Sequence, residues 1–119
     1  VQKVDRVPGT VTIAPEVLVT IAQLTSQDVQ GVHEMSPAWT REVHRFFGNE
    51  HVGDGVQIKV EDGKVFVDLY IIVDHDVNML QLGRKLQFEV TRAIEEMVGM
   101  DVRTVNVHIE DVCYAPEEG

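Results

Sequence analysis

The stretch VQIKVEDGKVFVDLYIIV, residues 56–73, decides the fold. Asp62-Gly63 at its centre supplies the two positive-φ positions of a tight primed turn. With Glu61 opposite Lys64, Val60 faces Val65, Ile58 faces Val67 and Val56 faces Leu69, which puts six apolar side chains on one face. The expectation is a two-residue hairpin with that face buried. Its second face carries Phe66, Tyr70 and Ile72 among Gln57, Lys59 and Asp68, an apolar group left over once the core face is filled.

Downstream, Met79, Leu82, Leu86, Val90, Ala93, Ile94 and Met97 recur at helical spacing, with Asn78 placed to cap the start and Gly99 to end the helix. Val105, Val107 and Ile109 then alternate with polar residues, as a strand with one buried face does. Upstream, Gly9 to Ile13 suggests a short strand. Pro15 opens a helix with Val17, Leu18, Ile21, Ala22 and Leu24 inward, stopped at Gly31. Residues 36–55 place Trp39, Val43, Phe46 and Phe47 at amphipathic-helix spacing, followed by a loop rich in glycine (Gly48, Gly53, Gly55).

Strand, helix, short helix, hairpin, long helix and strand, in that order, imply an α+β two-layer sandwich: a small mixed sheet with a central hairpin, and helices packed mainly on one face. Residues 1–8 are expected to be a flexible segment, 9–114 a single domain and 115–119 an acidic tail.

With 119 residues, 44% hydrophobic and 25% charged, the chain has the composition of one soluble globular domain. Twenty acidic against ten basic residues give a net charge of -10, a field that repels nucleic-acid backbones. No nucleic-acid partner is expected. Cys113 is the only cysteine, so an intrachain disulfide is impossible and a reducing compartment fits best. Nothing approaches the roughly 18 apolar residues of a membrane span, and the first ten residues lack the apolar core of a signal peptide. The expected location is the cytoplasm.

The residues that could carry chemistry are few. Asp74-His75-Asp76 could contribute to a hard metal site or orient an imidazole, but adjacent residues do not readily converge on one ion. A loop with a cap from Asp76 or Asn78 needs no unseen ligand. His33, His44, His51, His75 and His108 make no helical His pair and no zinc spacing with Cys113. Cys113 has no assignable base and is expected to be inert. Gly53-Asp54-Gly55 precedes a strand rather than a helix, which removes the context of a phosphate-binding loop and leaves a flexible entry to the hairpin. No metal, cofactor or catalytic residue is expected.

The segments IAPEVLVTIAQLTSQDVQGVHEMS (13–36), GVQIKVEDGKVFVDLYIIV (55–73) and LQFEVTRAIEEMVGMDVRTVNVHIEDV (86–112) resemble the bacterial alkaline shock protein family in order and spacing. The resemblance spans about residues 10 to 113. It departs at Asp74 to Asn78, where the family usually carries an aromatic-Gly pair. What it implies is a general stress protein of the envelope stress response, non-catalytic, self-associating and in some members held near the membrane by a partner.

Two covers are open for the hairpin's second face. Either the Trp39, Phe46 and Phe47 helix packs on Phe66, Tyr70 and Ile72 within the chain, or those residues anchor a protein partner or a second copy. The leading functional expectation is an adaptor of the envelope stress response. A regulatory subunit of a soluble metabolic enzyme is the alternative, and a metal-dependent enzyme at Asp74-His75-Asp76 the third reading.

Overall fold

The computed structural model describes residues 8–37 and 50–114. The elements run α1 (Pro15–Gln27), β1 (Val32–Met35), β2 (Glu50–Gly53), β3 (Val56–Glu61), β4 (Lys64–Asp74), α2 (Met79–Met97) and β5 (Asp101–Cys113).

The hairpin of β3 and β4 has the expected register, with Val60 opposite Val65 and Val56 opposite Leu69. Asp62 at φ 52° and Gly63 at φ 74° form its turn. β4 is long enough to organise the whole sheet. Along one of its edges, β3 pairs antiparallel with residues from Lys64 to Leu69 and β1 pairs antiparallel with Ile71 to Val73. The other edge pairs in parallel with β5 along its whole length, so the sheet is mixed. β2 extends it beyond β3.

The two antiparallel neighbours meet at Tyr70, whose N–H donates to the Gly55 carbonyl while its own carbonyl accepts from the Ser36 N–H, both at 2.8 Å. Gly55 sits there at φ 70°, where a Cβ would stand 2.6 Å from the Tyr70 carbonyl oxygen and 2.9 Å from the Ser36 nitrogen. Only glycine fits this seam without displacing backbone.

Both helices lie on one face of the sheet. Leu18, Val19, Ile21 and Ala22 of α1 and Leu82, Leu86, Val90 and Ile94 of α2 pack on Val56, Ile58, Val65, Val67, Leu69, Ile71 and Val73. Each such side chain, fully buried, is worth about 1.5–3 kcal/mol, so this one layer supplies most of the driving force for folding. Asn78 caps α2, its side-chain oxygen accepting from the Gln81 N–H at 3.0 Å, and Gly99 follows the helix at φ 82°.

Four details differ from the sequence reading. Residues 9–13 form no strand: Val11 is 91% exposed, and with Pro8 and Pro15 on either side the segment finds no edge to pair with. Val17 and Leu24 lie outside, because the buried arc of α1 runs through Leu18, Ala22 and Ser26 with Val19 and Ile21 beside it. Gly31 lies four residues beyond the end of α1, in the turn just before β1; its left-handed φ of 109° redirects the chain from the helix into the sheet. The glycine-rich entry is a second hairpin, β2 to β3, turning at Asp54-Gly55. There Gly53 passes so close beneath α1 that a Cβ would lie 2.5 Å from Val19 Cγ1.

Candidate protein-interaction face

Strand alternation sends every second side chain of β4 away from the helices. Phe66, Asp68, Tyr70 and Ile72 form this row, each partly buried. The parallel register sets Thr104, Asn106 and His108 of β5 beside Phe66, Asp68 and Tyr70 respectively. On the other side β3 contributes Lys59 opposite Phe66 and Gln57 opposite Asp68, and β1 contributes Glu34 opposite Ile72. No described helix packs on this face: α1 and α2 both lie on the other one.

The middle of the face is a polar and aromatic network. One oxygen of Asp68, Oδ1, accepts from Asn106 Nδ2 at 3.1 Å and lies 3.0 Å from His108 Nε2. The imidazole in turn stacks on the Tyr70 ring, with centroids 4.4 Å apart and planes 10° from parallel. Burial pushes the Tyr70 phenol above its ordinary pKa of 10.0, and the negative charges of Asp68 and Glu110 add to the effect. Lys59 Nζ stands 5.9 Å over the Phe66 ring and 3.8 Å from Glu61. Between these groups lies a shallow depression of about 260 Å³, lined by Gln57, Lys59, Phe66, Asp68, Thr104 and Asn106. The result is a firm surface whose rings are fixed by polar neighbours, the composition of a contact patch.

The structure therefore brings Phe66, Tyr70 and Ile72 together on one face. Trp39, Phe46 and Phe47 lie outside the described residues. The sequence reading missed the part played by Asp68, Asn106 and His108. Their signal was the alternation of polar residues in β5, which becomes a site only once β5 is known to run parallel to β4 in this register.

Asp74, His75 and Asp76 do not converge. Asp74 ends β4 and meets His33 at 3.3 Å, the His75 ring lies against Tyr114 with centroids 5.6 Å apart, and Asp76 is exposed. Among the described residues no group of three or more His, Cys, Asp or Glu side chains gathers as a metal site would require. Cys113 is partly buried at the end of β5, beside Asp74 in the sheet. No helix among the described residues is long and apolar enough to cross a membrane.

Comparison with known proteins agrees with the fold and supplies the family. The chain is 30% identical over 101 residues to the uncharacterized protein YqhY of Bacillus subtilis, covering 85% of this chain and 75% of YqhY. It is 28% identical over 105 residues to the uncharacterized protein Spy1535 of Streptococcus pyogenes serotype M6, covering 87% and 79% of the two chains. Among solved structures, a MamM CTD superposes with a TM-score of 0.50 at 14% identity, covering 82% of this chain and 99% of that one, a likeness of fold alone. A family model described as having a cell envelope-related function matches residues 3–114, and the chain accordingly belongs to the alkaline shock protein 23 family.

Proposed function

We propose that this chain is a non-enzymatic adaptor of the cell-envelope stress response, which holds a protein partner on the sheet face opposite its two described helices and associates with further copies of itself. The observation that carries this reading is the asymmetry of the sandwich. Both described helices cover one face, while the other presents Phe66, Tyr70 and Ile72 around the Asp68–Asn106–His108 network. Aromatic groups set rigidly in a polar surround are typical anchors of protein interfaces.

The same network argues against catalysis. Asp68 lines a depression of only about 260 Å³, of whose lining His108 is no part, whereas enzyme sites are as a rule concave enough to bury their substrate. Family membership supplies the envelope setting, and attachment to the membrane would come through the partner.

Affinity capture from the native host, separating membrane and soluble fractions and identifying bound proteins, tests the proposal. Saturable recovery of an envelope or membrane-anchored protein is expected. Recovery of a soluble metabolic enzyme instead would make the chain a regulatory subunit. Turnover of a small substrate by the purified protein would refute the non-enzymatic reading.

A further inference from the structure

The sheet's longest strand is also one of its edges. β5 runs thirteen residues from Asp101 to Cys113, and among the described residues only β4 pairs with it. An unpaired edge exposes a row of backbone donors and acceptors to any strand that can approach it. Proteins usually blunt such edges with shortness, lysine or proline. The opposite edge, β2, is short, with four residues. The central run of β5, TVNVHI from Thr104 to Ile109, has none of these devices.

The edge has a definite polarity. Val105 offers its carbonyl to Gln87 Nε2 of α2 at 3.0 Å, so Val105 and, by alternation, Val107 and Ile109 turn their backbone groups away from β4. Irregularities in the pairing with β4 occur at Arg103 and at Glu110, leaving a regular run between them. Exposed Arg103 stands at one end of that run, and exposed Glu110 and Asp111 at the other.

From this arrangement we infer that the β5 edge pairs antiparallel with the β5 edge of a second copy, about a two-fold axis at Val107. In that register Val107 meets Val107, Val105 meets Ile109, and Arg103 of each copy lies by Asp111 of the other. Val105, Val107 and Ile109 exchange the ladder hydrogen bonds, and a carbonyl's second lone pair lets Val105 keep its bond to Gln87. A parallel arrangement would set Arg103 beside Arg103 and the acids beside acids. Charge complementarity thus selects the antiparallel two-fold pairing, in which each contact is made twice. Apolar surface is concentrated along the same edge. Leu80 of α2, 70% exposed, lines a groove with Val107 and Ile109, and Phe88, 62% exposed, stands further along the helix. Antiparallel pairing brings the two α2 helices side by side above the joined strands, where these residues would be covered.

This inference rests on the self-association in the proposed function and assigns it a surface separate from the aromatic face. Two copies so joined present one continuous sheet with both aromatic faces on the same side.

Sedimentation equilibrium of the full chain, with Arg103→Asp, Asp111→Arg and their equimolar mixture, tests the pairing. The wild type should dimerise. Each single variant should raise the dimer dissociation constant about tenfold or more, since each places like charges together at both ends of the pairing. The mixture should return to the wild-type value, because both contacts between unlike variants again join opposite charges. Thermal unfolding of each variant alone checks that the fold is intact. Unchanged association in both variants, or a mixture no tighter than either alone, overturns the edge pairing. Association lost in Tyr70→Glu but kept in Arg103→Asp would move self-association to the aromatic face and also overturn it. A wild type monomeric at all concentrations overturns the pairing and self-association together, while partner capture by the aromatic face would stand.

Discussion

The two faces of β4 are built from neighbouring residues of one strand, yet they obey different rules. Val65, Val67, Leu69, Ile71 and Val73 point under the helices and are fully buried, a purely apolar set. Phe66, Asp68, Tyr70 and Ile72 point the other way and mix rings, a carboxylate and an aliphatic group. A core needs only volume and apolarity, whereas a contact surface must also stay hydrated and keep its shape while unoccupied. The bond from Asn106 to Asp68 and the stacking of His108 on Tyr70 give the second face that rigidity.

Substitutions at adjacent residues should separate the two faces most strongly. Ile71→Ala should leave a cavity beneath the helices and cost about 4 kcal/mol in chemical denaturation. Gly55→Ala comes next. It forces a side chain into a left-handed position against the Tyr70 carbonyl and should cost about 2 kcal/mol by the same measurement. Ile72→Ala, one residue from Ile71 but on the other face, should cost only about 1 kcal/mol. Equal losses for Ile71→Ala and Ile72→Ala would show that both faces serve as core.

The smallest effect is expected at Tyr70. Its phenol pKa is raised in the folded chain, so above about pH 10 the folded state holds a proton that the unfolded state has released. That contribution is fully present below about pH 10 and is lost as pH rises through the folded value. Thermal unfolding of Tyr70→Phe against wild type should therefore coincide in pH dependence near neutrality. Above about pH 10 the wild type should lose stability that the variant keeps.

The sequence carried the hairpin register, the cap of α2 and the split between two faces of β4, because turn chemistry and alternation are local and agreed with each other. It carried the second hairpin less openly. Asp54-Gly55 is the same dipeptide as Asp62-Gly63, but Glu50 to Gly53 lacks apolar alternation, since Gly53 answers to the closeness of Val19 rather than to a pattern. β1 was hidden for a similar reason: four residues beside a long strand leave no periodic mark. Of the second face, Phe66, Tyr70 and Ile72 were legible from alternation. Asp68, Asn106 and His108 were not legible as a group, because their meeting depends on the long-range parallel register of β4 and β5. The expected strand at residues 9–13 failed because a strand is made by its neighbour, and Val11 and Ile13 between prolines attract none.

The central claim is that the face bearing Tyr70 exists for binding and not for holding this chain together. Tyr70→Glu tests it with two readouts from one protein: thermal unfolding, and quantitative capture of the host partner. The variant should unfold within a few degrees of wild type and lose capture about thirtyfold, the effect of removing an interface anchor worth about 2 kcal/mol. An unfolding temperature lowered as far as in Ile71→Ala, or capture undiminished, would contradict it.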